Sequence, residues 1–491
     1  MIQVVWFKRD LRIHDHRPLA RATQAGSVLP LYVVEPELWA QPDRSHRHWR
    51  VTCGQLIDLD TQLSAALGLR LAVMQGSVCE ALAALHDAYG GFRLLAHEET
   101  GTAWTYRRDL DVIDWCREYG VAFEEIPQFG VFRRLRERDG WSRRWQGRME
   151  EALTPPPSRA SPAPWPAAAR TPDALPSVTA ASRREQLVGR CAAVADLDTF
   201  LRERGDGYRQ QMSSPLTAES GCSRLSVHLA LGTLSMREVW QSTRKRIESL
   251  RGTPRTQAGT WLADLKAFEG RLHWHCHFIQ KLESQPSIEW RNLSRACDGL
   301  REERFNEQFF DAWRVGETGY PYIDACMRYL RVSGWINFRA RAMLMSFAAY
   351  DLWLHWPEPA RHLAQLFTDY EPGIHYSQVQ MQSGTTGINT LRIYNPVKQG
   401  LDHDPEADFI ATWVPELARL APPRRHEPWR ASPAELTAAG VRLGVNYPER
   451  VVDHATAARA AQSAINARRR QPDARVEAAA IHHTHGSRRR S

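Results

Sequence analysis

No stretch of the 491-residue chain approaches the ~20 consecutive apolar residues that a membrane-spanning helix requires, so no transmembrane segment is expected. The opening run Met1-Ile2-Gln3-Val4-Val5-Trp6-Phe7-Lys8-Arg9-Asp10 turns charged too early for the apolar core of a signal peptide. Eight cysteines are scattered along the chain with no C-x-x-C pair, which argues against a disulfide framework and against a zinc knuckle. A reducing, cytoplasmic compartment is the expectation. No G-x-G-x-x-G follows a strand-like run, which counts against a nicotinamide dehydrogenase. Acidic residues are in deficit: 56 against 64 basic ones, a net charge of +8. That excess suits a polyanionic partner, although Arg468–Arg470 and Arg488–Arg490 place part of it in the C-terminal tail.

What is present divides into two halves. Short apolar runs at Gln3–Phe7, Val28–Val34, Arg70–Met74 and Phe92–Ala96 alternate with helically spaced segments at Arg17–Gln24, Arg50–Leu67 and Cys79–Tyr89. This alternation predicts an α/β domain with a doubly wound parallel sheet over residues 1–130. A connector follows at 131–195, rich in proline over 154–176 and read as an extended linker or surface strap. From 196 to 465 the periodicity is helical almost throughout, predicting an all-α domain. Residues 466–491, with His482, His483 and His485 among arginines, read as a disordered basic tail.

Four helical-domain segments are dense in polar and aromatic groups. Gly221-Cys222-Ser223-Arg224-Leu225-Ser226 precedes an apolar helix, with Ser223 placed to cap it and free N–H groups suited to an anion. Arg271-Leu272-His273-Trp274-His275-Cys276-His277-Phe278 invites a metal, but only His273 and His277 share a helix face and H-E-x-x-H is lacking. No metal is expected. The third segment runs from Thr318-Gly319-Tyr320-Pro321 to Asn337-Phe338-Arg339-Ala340-Arg341. The fourth runs from Asp369-Tyr370-Glu371-Pro372-Gly373 to Arg392-Ile393-Tyr394-Asn395-Pro396. Arginines near carboxylates and glycine turns could hold a polyphosphate cofactor or form structural ion pairs; spacing does not decide.

Taken in order, these segments resemble the FAD-binding domain of the cryptochrome/photolyase family. Trp6-Phe7-Lys8-Arg9-Asp10-Leu11-Arg12-Ile13-His14-Asp15 is similar to that family's opening signature, W-F-x-x-D-L-R-x-x-D. The resemblance implies a Rossmann-like antenna domain followed by an all-α C-terminal domain that cradles FAD. It implies cofactor contacts from Tyr208, Cys222, Ser223, Arg224, Leu225, Ser226, Arg271, Arg341, Asp369, Tyr370, Glu371 and His375. It further implies a DNA-facing mouth formed by Asp264, Trp274, Phe338, Arg339 and Arg392. The implied substrate is DNA containing pyrimidine dimers, split by electron donation from excited FADH⁻, in a monomeric protein. A cryptochrome-type photoreceptor with the same flavin is the alternative. That only the basic tail follows the last matched segment favours repair.

Three departures from the family pattern stand out. His375 or a neighbour occupies the loop that commonly places an Asn beside flavin N5. The photoreduction Trp chain keeps its middle member at Trp356, while the proximal position falls near Gln378–Val379 and the outer one near Glu303. Trp353, Tyr370 and Tyr376 offer another route. Where the folate antenna site usually has Asn-Glu, this chain reads Trp104-Thr105, leaving the identity of any second, antenna chromophore open.

Overall fold

Residues Ile2–Phe7 form β1, and its alternate side chains feed opposite cores: Val4 and Trp6 one, Val5 and Phe7 the other. In the computed structural model β1 lies at the centre of a parallel sheet with β2 (Ser27–Val34), β3 (Ala72–Gln75), β4 (Phe92–His97) and β5 (Ala122–Ile126), ordered β3-β2-β1-β4-β5. The structure describes all residues except 136, 176–183, 253, 255–258, 304 and 487–491. Helices Arg17–Ala25, His46–Leu67, Val78–Tyr89 and Ala103–Glu118 cover the sheet, so its strands are apolar on both faces. β3 begins two residues later than its sequence pattern because the Leu71 N–H donates to Asp60 Oδ1 at 2.7 Å instead of entering the ladder.

The strand order reverses between β1 and β4, the place where doubly wound folds open a crevice beyond the strand ends. Lys8-Arg9-Asp10 and His97-Glu98-Glu99 emerge there. Asp10 explains its place in the signature: Oδ2 takes hydrogen bonds from His16 Nε2 (2.9 Å) and His97 Nδ1 (2.7 Å), and Oδ1 from the Lys8 N–H. His16 Nδ1 accepts from the Leu19 N–H, so its proton sits on Nε2, and the network is closed.

The proline-rich segment is a strap fastened to the sheet. Its β6 (Ser161–Pro162) pairs with the start of β2, and Val73 and Arg170 exchange both backbone hydrogen bonds. Beyond it the chain is helical. The Trp261–Ser284 and Pro372–Ser383 helices pack so closely that a Cβ on Gly373 would sit 2.5 Å from Ile279 Cα. The two halves also meet backbone to backbone. Gly232, at φ +72°, has room for no side chain, since a Cβ would lie 2.2 Å from the Arg9 carbonyl. The Leu11 N–H donates to Leu231 O across this seam, and Arg237 pairs with Asp15.

The expected disordered tail is corrected as far as residue 486: His454–Arg469 and Pro472–His485 are helices. Their Ile465, Ala461, Ala474 and Ile481 are buried, an apolar stripe that the surrounding arginines conceal in the sequence. Glu477 fastens the second helix by accepting from Ser294 Oγ and the N–H groups of Arg295 and Ala296. The last residues of the expected tail, 487–491, lie outside the described residues. Among the described residues no helix is long and apolar enough to cross a membrane.

Candidate functional site: a flavin cavity in the helical domain

A cleft with about 1480 Å³ of empty space, counting the part open to solvent, lies inside the helical domain. One wall comes from the Trp261–Ser284 helix, which presents Arg271, Trp274, His275 and Phe278. The Pro372–Ser383 helix supplies the facing wall with His375, Gln378 and Gln382. Apolar side chains, among them Met345, Leu363, Phe367 and Val379, line the rest.

Asp369 and Arg341 form the electrostatic anchor. The guanidinium donates to both carboxylate oxygens, at 3.0 and 2.9 Å, and its Nε donates to Ile336 O. Burial alone would raise the Asp369 carboxyl, but Arg341 and a hydrogen bond from Ser226 bring it below its ordinary value, so it is an anion. Glu371 is pulled the other way. Burial raises its pKa, although Arg9 from the sheet domain donates to its Oε2 at 2.8 Å while also reaching Glu99. Burial lifts the Tyr208 hydroxyl and the Cys222 thiol to about 12 and about 11, so both are neutral.

Tyr208, Cys222, Ser226, Arg271, Arg341, Asp369, Tyr370, Glu371 and His375, all anticipated for the cofactor, line this one cleft. Ser223, Arg224 and Leu225 are not among its lining residues. The following helix starts at Ser226 with Leu225 in the cap position, so Ser223 is not its N-cap; its hydroxyl accepts from Leu225 N at 3.5 Å. Arg224, in the left-handed region at φ 63°, lies 3.8 Å over the ring of Trp335, which does line the cleft. The sequence reading missed His275, Asn337, Gln378 and Gln382. Signals existed for His275 and Gln382: they lie one helical turn from Arg271 and Gln378 on the two wall helices.

The donors and acceptors left over match a flavin dinucleotide. Asn337 Oδ1, Glu371 Oε1, Gln378 Oε1 and Gln382 Oε1 are buried acceptors without a partner in this cleft. An isoalloxazine imide N–H and ribityl hydroxyls are the donors such atoms need. Arg271 and Ser226 suit a diphosphate. His375 donates its Nε2–H to Ala360 O at 2.9 Å, and burial holds the imidazole down to about 4. It is therefore neutral near pH 7.

Trp356 does not reach the cleft. It is fully buried, donates from Nε1 to Asn292 Oδ1, and makes a ring contact with Tyr376, 6.4 Å away between ring centres. Tyr376 in turn contacts His375 and Tyr370 at 5.2 and 6.5 Å. Trp353 is placed elsewhere, under the Arg301 guanidinium.

At the mouth, Trp274 and Phe338 are each 47% exposed, an unusual state for large aromatics flanking a cavity. Asp264 is not there. Its buried carboxylate accepts from the N–H groups of Gly207 and Arg209 and from Thr260, fixing the turn that places Tyr208; the DNA-facing expectation for it is corrected. Arg339 is half-buried and Arg392 exposed, and neither lines the cleft.

A smaller cavity of about 770 Å³ opens at the switch point of the sheet, lined by Trp6, Lys8, Tyr32, Trp39, Arg108 and, shared with the first cleft, Tyr370. Thr105 also lines it, while the Arg108 guanidinium lies 6.0 Å from the Trp104 ring.

Residues 3–133 match the family model described as DNA photolyase, and 268–467 match that of the FAD binding domain of DNA photolyase. A deoxyribodipyrimidine photo-lyase of Vibrio cholerae is 30% identical over 92% of this chain and 97% of its own. The Escherichia coli photo-lyase is 28% identical over 92% and 95%, and cryptochrome DASH of Gloeobacter violaceus 28% over 96% and 99%. The crystal structure of a class III photolyase from Agrobacterium tumefaciens superposes with a TM-score of 0.82 at 26% identity, covering 96% of this chain and 98% of that one. The ion-paired cleft, its unpartnered acceptors and these matches agree: the chain belongs to the FAD-binding DNA photolyase/cryptochrome family.

Proposed function

We propose that this protein is a light-driven DNA photolyase that splits pyrimidine dimers. The observation that carries this reading is the pair of half-exposed aromatics, Trp274 and Phe338, at the rim of the flavin cleft. An extruded dimer must be unstacked from the duplex, and aromatic faces at the entrance recover part of that cost. Reduced FAD, when bound, supplies the photoexcited electron that opens the cyclobutane ring. The chain's own groups do the rest. Arg341–Asp369 and Arg271 hold the cofactor, Gln378 and Gln382 orient it, and the apolar wall keeps water from the reacting centre. Arg339 and Arg392 engage backbone phosphates. His375, neutral, keeps its Nε2 proton on Ala360 O and brings no positive charge into the cleft. The switch-point cavity is the place for a second, light-harvesting pigment in this chain.

A second reading, a blue-light photoreceptor with the same flavin, is favoured by the cryptochromes among the relatives. Reduced holoprotein mixed with dimer-containing oligonucleotide and illuminated with blue light will restore intact pyrimidines. Failure with FAD bound would eliminate repair and leave the photoreceptor. Trp274→Ala should weaken binding to dimer-containing duplex by roughly 5- to 150-fold, the range of one lost base stack. Arg392→Ala should weaken damaged and undamaged duplex about equally. Unchanged affinity in either variant would move the mouth elsewhere.

A further inference from the structure

Beside the flavin cleft, and sharing Trp274 and Phe278 with it, runs a broad groove lined by the Trp141–Glu150 helix, the Trp261–Ser284 helix and His485. Its floor is built around Lys281, which is only 5% exposed yet lines the groove. No ion pair or hydrogen bond meets the ammonium among the described residues; the Phe278 ring centre lies 5.4 Å away. Neighbouring groups are basic as well. Arg138 Nη2 donates to His277 Nδ1 at 2.6 Å, which leaves the His277 Nε2–H as a donor, and His485 packs close by. Burial, then Arg138, lowers Lys281 to about 8, so it is still largely charged at pH 7. Arg143 and Lys266 stand exposed along the rim, and Trp141 lies beneath the Arg138 guanidinium. The acids lining the groove are Asp139 and Glu269, and Glu269 is paired with Arg244.

An ammonium that faces a groove from a largely buried side chain, with no counter-charge beside it, is a point where an anion is stabilised. We propose that this groove is a phosphate site that holds the backbone of a DNA strand as it leaves the mouth of the flavin cleft. The assignment to DNA rests on the photolyase reading; the phosphate chemistry does not. The exposed face of Trp274 beside these cations suits a strand outside the duplex, and Trp274 and Phe278, which line both groove and cleft, set the two side by side. A free phosphate compound would use the same donors, so the test separates the two sources.

Binding of dimer-containing and undamaged oligonucleotides to the holoprotein is measured across a potassium chloride series, beside thermal melting of the free protein. Lys281→Met should lower the salt slope by about one on both DNAs while raising or preserving the melting temperature. Arg143→Gln with Lys266→Gln, both on the rim, should lower the slope by about two and leave melting unchanged. Unchanged slopes in both variants overturn the proposal. So does a lower melting temperature in Lys281→Met, because the lysine would then be holding the fold. Titration with inorganic phosphate and ADP is the remaining arm. Binding that depends on Lys281 while the DNA slopes stay fixed assigns the site to free phosphates and overturns the strand path. Should the wild type bind both oligonucleotides alike and leave dimers intact under light, the repair reading fails, while the slopes still decide the groove.

Discussion

Asp369→Asn will give a folded protein that is nearly free of flavin. Among the described residues the carboxylate is the sole acidic partner of Arg341, held at 3.0 and 2.9 Å, and its side chain is 3% exposed. Replacing it with a neutral amide leaves a guanidinium facing the cleft without its counter-charge, a change that typically costs about 3–5 kcal/mol. Since both residues line the flavin cavity, that cost deforms the surface the cofactor contacts. Flavin retained after desalting should fall by at least about tenfold, which takes only ~1.4 kcal/mol of the total. The double variant Arg341→Leu/Asp369→Leu separates binding from folding. Two apolar residues, which leave no charge unpaired, should restore melting without restoring flavin. Full flavin retention by Asp369→Asn would show the pair to be structural only.

Acidification will destabilise the protein before most of its carboxylates titrate. His48 and His375 are both held at about 4 by burial, and each donates Nε2–H to a carbonyl, of Phe367 and Ala360. In the unfolded chain such rings protonate near 6.5. Between about 6.5 and 4 the unfolded state therefore binds more protons, so stability is lost as pH falls through that window. At pH 4 each ring contributes on the order of 3 kcal/mol of destabilisation. His97 and His275, buried and held near 3, add to this. Glu289 and Asp324 act with opposite sign, since burial lifts them to about 7 and about 6. Together they offset roughly two of the histidines. Melting temperature and flavin release followed from pH 8 to 4 should show a steep decline below about 6, shallower in His375→Asn. A flat profile down to pH 4.5 would mean that these rings protonate in place.

The sheet was legible because its strands are buried on both faces and alternate with amphipathic helices at a fixed rhythm. The cofactor wall was legible through the family resemblance, which carried over Arg341, Asp369, Tyr370 and Glu371 by position where spacing alone left cofactor and ion pair undecided. What escaped depends on convergence. Asp264 carries an acidic side chain one turn into a helix that borders the site, and nothing in its spacing says that it turns inward onto Gly207 and Arg209. The unpartnered amide oxygens of Asn337, Gln378 and Gln382 belong to ordinary polar residues until the tertiary fold buries them in the cleft. The groove at Lys281 draws on residues 138–146, 240–281 and 485, so only its helix face, His273, His277 and Lys281 at intervals of four, was written locally. The terminal helices were hidden by charge. Ala461, Ile465, Ala474 and Ile481 are too sparse among arginines for their shared burial to show.

Arg9 bridges Glu99 of the sheet domain and Glu371 of the flavin wall, beside a seam where Gly232 admits no side chain against the Arg9 carbonyl. Cofactor occupancy is therefore thermodynamically linked to the sheet. Saturation to 100 times the dissociation constant adds ~2.7 kcal/mol to the unfolding free energy of whatever melts together with the site. Because β1 runs directly into that bridge, its amides should exchange with solvent more slowly once flavin is loaded, and calorimetry should record one transition for both halves. The sheet and flavin halves are, in this sense, a single cooperative unit.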